Sequence, residues 1–333
     1  MLQIARLGRT DMDLTRVGFG AWAIGGADWT NGWGAQDDDD SVQAIRHAVE
    51  SGVNWIDTAG VYGFGHSEEV VARALRDLPP DDRPYVFTKG GLVWDPADRS
   101  KPATRVGAPD SIRRDVESSL RRLGVERIDL FQMHWPAGDD TPVEEYWQTF
   151  RELVDEGKIR AAGLSNHDVE QLDAAESAGP VDALQPPLSL IHRAAAADVI
   201  PWAAAHDTGV IVYSPMASGL LTGSFTAERA AALGADDWRS RDGQFTGDGL
   251  RRNLGLVEDL RPIAERNGVG VAALAVAWTL HVPGVTAAIV GARRPGQVDG
   301  WIAAAGLRLD AADLDDIAAA VTANDTGTGP VRP

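Results

Sequence analysis

Eight short apolar runs constrain this chain more than any other feature. They are "TRVGFG" (15–20), "VNWIDTA" (53–59), "YVFTKG" (85–90), "RIDLFQMH" (127–134), "RAAGLSN" (160–166), "DALQP" (182–186), "GVIVYSP" (209–215) and "TAAIVGA" (286–292). None alternates strictly between apolar and polar, and near-continuous hydrophobicity marks strands buried on both faces. Amphipathic segments such as "HSEEVVARALRD" and "PDSIRRDVESSLRRLG" lie between them, several opening on Asp, Ser or Pro and closing on Gly, as helix caps do. Eight strands alternating with helices close into an α/β fold, the (β/α)8 TIM barrel. "LQIARLGRTDMDLT" reads as an N-terminal β-hairpin across the barrel floor. Residues 216–267 are too long for one connection and predict a covering loop plus an extra helix, and "DAADLDDIAAAVTA" predicts a last helix near the C-terminus. The expectation is a single barrel domain over residues 1–323 and a disordered tail over 324–333.

Composition narrows what such a barrel could be. The chain has 333 residues, 44% of them apolar, enough for one large core. Its formal net charge of −18 argues against a nucleic-acid partner, which would demand a basic footprint on phosphates. An anionic cofactor is still admissible, because a local pair of cations can hold phosphate. There is no cysteine, so disulfides, thiolate metal sites and cysteine nucleophiles are excluded. "MLQIARLGRT" has no apolar h-region, and no signal peptide is expected. The uncharged run at 268–292 is interrupted by Trp278, Thr279, His281 and Pro283-Gly284, which predicts a buried helix and then a buried strand rather than a membrane span. The expectation is a cytoplasmic protein with no membrane segment. Its oligomeric state is not legible.

Barrel enzymes carry their chemistry at the C-terminal ends of the strands, so the residues ending each run matter most. In order they are Gly20 with Trp22, Asp57, Lys89, His134, Ser165 with Asn166, Gln185, Tyr213 with Ser214, and Gly291 with Arg293 and Arg294 behind it. Apolar runs that finish this consistently in hydrogen-bonding side chains point to one polar mouth. Lys89 stands out because the chain has only three lysines, and a buried ammonium can shift its pKa where a guanidinium stays charged. A strand-end lysine alone would be expected to reach for water. Asp57 and Tyr62 change that. The carboxylate can hold the ammonium, and the ammonium can draw a phenol down from its usual pKa of about 10. His134 can donate to the same bound oxygen. A lone histidine is more often satisfied by backbone, whereas this one joins three other groups on neighbouring strands.

The segments "NWIDTAGVYGFGHSEEVVARAL", "FTKGG", "DLFQMHWP", "EGKIRAAGLSN" and "VYSPMASGLLTG", in this order, resemble the aldo-keto reductase family. The resemblance runs from about residue 3 to about 310. It implies an oxidoreductase that binds NADP(H), extended across the barrel mouth, and reduces the carbonyl of a small aldehyde or ketone. It implies that Tyr62 is the general acid, that Lys89 and Asp57 tune it, and that His134 orients the carbonyl. Ser165, Asn166 and Gln185 match the family's clamp on the nicotinamide carboxamide, and Tyr213 matches the ring that stacks on the nicotinamide. Ser214, Pro215, Met216, Ser218, Gly219 and Leu220 supply small residues and backbone N–H groups near the pyrophosphate. Arg293, Arg294 and Gln297 fall where the family holds the adenosine 2′-phosphate. Gly20, Trp22, Asp57 and Gly291 are assigned to the cofactor site as well. Gly300 and Trp301 stand where many members carry an acidic residue and an asparagine that reads the adenine.

Trp22 and Trp135, with Tyr62 and His134, are expected to line an apolar substrate pocket, and Trp29, Trp33 and Trp94 fall nearby. "DDWRSRDGQFTGDGLRRN" (236–253) is Gly-rich and polar and is expected to order over cofactor or substrate. The seven histidines show no ligand spacing, and no metal is expected. Two other functions share the barrel. A lyase would use Lys89 as a Schiff-base nucleophile but would leave Tyr62, the amide clamp and the arginines without a role. An NADPH-sensing regulatory protein would keep the same residues and turn over slowly.

Overall fold

A computed structural model describes residues 2–27, 29–79 and 82–333. A hairpin of β1 (Ile4–Arg6) and β2 (Asp13–Thr15) opens the chain. Barrel strands β3 (Val17–Gly20), β4 (Trp55–Asp57) and β5 (Tyr85–Gly90) follow, and then a small outlying hairpin, β6 (Leu92–Val93) with β7 (Thr104–Arg105). The barrel continues with β8 (Ile128–Met133), β9 (Ile159–Ser165), β10 (Ala183–Gln185), β11 (Gly209–Val212) and β12 (Val285–Gly291). These eight strands form a closed parallel barrel in chain order, with β12 paired back onto β3. Each of the eight apolar runs holds one strand, as expected.

Strand period explains why one barrel interior has two chemistries. In parallel register Phe87 lies beside Leu130, and two residues on Lys89 lies beside Gln132. Side chains two apart share a face, so an apolar layer is followed upward by a polar one. The lower layer, with Trp55, Phe87, Leu130 and Ile211, is closed from below by Leu7, Met12 and Leu14 of the hairpin segment. The upper layer holds Asp57, Lys89, Gln132, Ser165 and Gln185, all buried.

The helices start and stop on their caps. Helix Pro109–Leu123 has proline in its first turn and ends on Gly124 at φ 66°. Helix Asp38–Glu50 begins within an acidic run, with Asp37 accepting from the Asp39 and Asp40 amides. Three aspartates therefore occupy its first turn, where the helix N-terminus favours negative charge. The run 268–292 forms a buried helix, Val271–His281, and then β12. Among the described residues no helix is long and apolar enough to cross a membrane. Between β11 and β12 lie the 3-10 turn Ala217–Thr222, the short helix Ala227–Ala231, the 3-10 turn Trp238–Arg241 and the long helix Gly247–Arg266. The segment expected to be disordered after residue 323 makes contacts with the connection that follows β10. Arg193 Nη1 donates to Thr326 O at 3.0 Å, and Thr328 bridges to His192.

Candidate active site

A cavity of about 550 Å³ opens where the barrel strands end. At its floor, Lys89 Nζ donates to Asp57 Oδ1 at 2.5 Å and to Thr58 O at 2.9 Å, with both ionic side chains buried. Asp57 Oδ2 accepts from Gln185 Nε2 at 2.9 Å and from Gln132 Nε2 at 3.3 Å, and Gln185 also donates to Gln132 Oε1 at 3.0 Å. A carboxyl group this deep needs such donors to replace the water it has lost.

Tyr62 reaches the floor from the loop after β4. That loop turns through Gly63 at φ 61°, pressed so close to the Gly25 carbonyl that a Cβ there would come within 2.1 Å of its oxygen. Lys89 Nζ lies 5.3 Å from the centre of the Tyr62 ring, and the His134 ring meets that ring edge-on at 5.6 Å. Lys89 was expected to draw the Tyr62 pKa down, yet the net shift is upward. Burial, followed by the charge of Asp57, pushes the phenol well above its usual value. Burial also holds Lys89 below its usual value against the pull of Asp57. Burial and then the Lys89 charge hold His134 well below 6.5, so its ring is neutral. Its Nδ1 is buried with no hydrogen-bond partner among the described residues.

Next to this floor, Asn166 Nδ2 donates to His134 O at 2.9 Å and to Ser165 Oγ at 3.0 Å, while Tyr213 Oη donates to Asn166 Oδ1 at 2.8 Å. Ser165 Oγ in turn donates to Gln185 O at 2.9 Å. The donors of Ser165, Asn166 and Gln185 are thus all committed within the protein, which leaves their oxygens to accept.

The outer end is built from loops. Arg239 pairs with Asp237 at 2.6 Å and lies 4.6 Å over the Trp33 ring, and Trp33 bridges to Asp237. Trp22, Trp33 and Trp238 contact one another, with ring centres 5.2 to 5.9 Å apart. Arg293 donates through Nε to Gln36 Oε1 at 2.5 Å and through its terminal nitrogens to the carbonyls of Trp33 and Ala35. Residues 214–219 include four non-glycine or glycine positions with positive φ beyond the strand end (Ser214, Ala217, Ser218 and Gly219), so the backbone there curls under the cavity.

All the candidate residues line this cavity except Lys89, Leu220 and Arg294. Lys89 sits just behind it, under Tyr62. The Leu220 side chain is buried in the core, and Arg294 turns outward to Asp40 at 3.1 Å. The structure therefore does not bring the Arg294 guanidinium to the site. Trp301 is buried in the core and does not line the cavity. Trp22, Trp29, Trp33 and Trp135 do line it, whereas Trp94 stacks on Phe64 behind it. Gln132, Gln36, Arg239 and Trp238 were not singled out from the sequence. Gln132 was visible as a lone amide two residues before His134, in the same inward row.

A profile of the Aldo/keto reductase family matches residues 16–322. Aldo-keto reductase YhdN of Bacillus subtilis (strain 168) is 37% identical over 317 residues, covering 95% of this chain and 92% of that protein. The NADH-specific methylglyoxal reductase of Escherichia coli (strain K12) is 35% identical over 319 residues, covering 92% of this chain and 94% of that protein. Among solved structures, the glycerol dehydrogenase AKR11B4 from Gluconobacter oxydans aligns with a TM-score of 0.88 at 39% identity, over 98% of this chain and 97% of that one. The chain belongs to the aldo/keto reductase family, a family of oxidoreductases that use nicotinamide cofactors.

Proposed function

We propose that this protein reduces the carbonyl group of small aldehydes or ketones, with NADP(H) as the hydride donor and Tyr62 as the general acid. One observation carries the reading: Asp57, Lys89, Tyr62 and His134 meet at the floor of a single cavity, with Nζ 2.5 Å from Asp57 and 5.3 Å from the Tyr62 ring centre. When bound, the reduced nicotinamide supplies the hydride. The chain's own part is to hold a proton, orient the carbonyl and exclude water. Tyr62, its pKa pushed up, keeps its proton at neutral pH and can give it to an oxygen that is gaining negative charge. Neutral His134 can donate one N–H to that same oxygen. Lys89, held by Asp57, stands beside the phenolate left when the proton departs.

The residues present fit a nicotinamide dinucleotide. Ser165, Asn166 and Gln185 offer acceptor oxygens to the amide N–H2 of a carboxamide. Arg239 and Arg293 suit phosphate oxygens at the other end of the cavity, which favours NADP(H). A relative 35% identical is named NADH-specific, so the preference must come from these arginines rather than from family membership. Oxidation of NADPH and of NADH, each with a panel of small aldehydes, tests the reading in wild type and in Tyr62→Phe. We expect turnover that prefers NADPH and falls by about 10²–10⁴-fold in the variant. Turnover with NADH alone would remove the NADP assignment. Tight NADPH binding with no turnover of any aldehyde would remove the reductase reading and favour a sensor.

A further inference from the structure

Acids outnumber bases in this chain, 49 Asp and Glu against 31 Lys and Arg. The cavity wall reverses the balance. Lys101, Arg105, Arg229, Arg239 and Arg293 line it, and among the described residues Asp57 is its only carboxylate, already held by Lys89. The phosphates of a dinucleotide account for three of the five cations. Arg229, Arg239 and Arg293 form one group, in which Arg293 feels the charge of the other two. Lys101 and Arg105 belong to a separate segment, at and before β7, and no phosphate of the cofactor is needed to explain them.

The two differ in how they are held. Lys101 is paired with Asp95 at 3.2 Å and Asp98 at 3.6 Å. Arg105 has no carboxylate partner among the described residues. Its guanidinium lies 4.6 Å over the ring of Trp135, the residue that follows His134. An aromatic face under a guanidinium fixes its plane and leaves its N–H edges free, the arrangement that grips a carboxylate or phosphate through two parallel bonds. The protein as a whole, at −18, repels an approaching anion, so a local cation on the cavity wall would have a steering role as well as a binding one.

We infer that Arg105, stacked on Trp135, recognises an anionic group on the substrate. The preferred substrates are then short carbonyl compounds ending in a carboxylate or a phosphate, rather than neutral aldehydes. The inference rests on the proposed carbonyl reduction and narrows its substrate class.

Matched pairs test it: succinate semialdehyde against butanal, and glyceraldehyde phosphate against glyceraldehyde. kcat/KM is measured for each in wild type, Arg105→Ala, Arg105→Lys and Arg105→Glu. A charge-assisted contact predicts that wild type favours at least one anion over its neutral partner by about tenfold or more. In Arg105→Ala that ratio falls toward one, mainly through KM. Arg105→Lys keeps part of it and Arg105→Glu reverses it. The pair showing the larger ratio identifies carboxylate or phosphate as the group read. A wild-type ratio near one for both pairs, or a ratio unchanged in Arg105→Ala, overturns the inference. Binding of unreactive succinate and of inorganic phosphate, followed by tryptophan fluorescence in wild type and Arg105→Ala, separates the two levels. If no aldehyde turns over, the reductase reading fails, while loss of anion binding in Arg105→Ala still supports the anion site and equal binding by both proteins still sinks it.

Discussion

At the inner end of the cavity, the polar side chains are bound mainly to one another; at the outer end, the cations are held by loop carbonyls, an ion pair and aromatic faces. Asp57 takes bonds from Lys89, Gln132 and Gln185, and Asn166 ties His134 to Ser165 and Tyr213. Arg293, by contrast, is engaged by Gln36 and by the Trp33 and Ala35 carbonyls. The inner groups are already arranged to act without reorganising, which is how preorganised dipoles contribute to catalysis. Those partners take three of the five N–H donors of Arg293, so it meets a phosphate with the remaining two unless it lets a partner go. Inner substitutions should therefore register in kcat, and outer ones in cofactor affinity.

The largest expected effect is at Lys89. Lys89→Met removes the cation beside Tyr62 and leaves Asp57 with the two glutamine amides. kcat should fall by about 10²–10⁴-fold, the range for a general acid–base apparatus, with the dissociation constant for NADPH changed far less. Stopped-flow turnover together with fluorescence titration of the cofactor would check both. A parallel loss of cofactor affinity would break the contrast between the two ends.

Acid should attack the inner end first. His167 Nδ1 donates to Ser165 O at 2.9 Å, and its Nε2 accepts from Tyr146 Oη at 2.7 Å, so the ring is locked neutral. Burial pulls its pKa from 6.5 down to about 4. Between those values the unfolded chain binds a proton that the folded one refuses, so stability is full above pH 6.5 and is lost as pH falls toward 4. The loss is about 1.4 kcal/mol per pH unit, or about 3 kcal/mol in all from this group. His134, shifted the same way, adds to it. Asp115 runs the other way: burial raises its pKa from 3.8 to about 6, so the folded state takes up that proton first and acid stabilises it. Urea unfolding at neutral pH and near pH 4 should show a shallower acid loss in His167→Asn than in wild type. Equal losses would mean that His167 is not held neutral.

The two ends also differ in how legible they were. The inner groups sit at strand ends, where a period of two and the direction of the barrel assign both a face and a height, so Asp57, Lys89, His134 and Gln185 could be read in order. Gln132 shares their row but lies inside an apolar run, where one amide reads as part of the strand. At the outer end no period sets the register. The 236–253 segment could be named as a cover, but its contacts depend on long-range meetings such as Trp33 with Asp237, just as Arg293 depends on Gln36. Arg293 and Arg294 are neighbours in sequence, yet one faces the cavity and the other Asp40, because the helix Pro295–Asp299 begins right after them and turns the chain.

The outer end offers a pair of changes with opposite signs. Arg293→Ala removes the cation proposed to hold a phosphate, and the dissociation constant for NADPH should rise by about tenfold, with that for NADH nearly unchanged. Gln36→Ala leaves Arg293 in place, frees its Nε and removes the amide that now donates to Arg293 O at 3.0 Å. That Nε is then open to phosphate, so NADPH should bind about threefold more tightly, in keeping with the small net worth of a single hydrogen bond. Fluorescence titration resolves both shifts. If Gln36→Ala weakens NADPH binding instead, Gln36 aligns the guanidinium for the phosphate rather than competing for it, and the outer end would be as preorganised as the inner one.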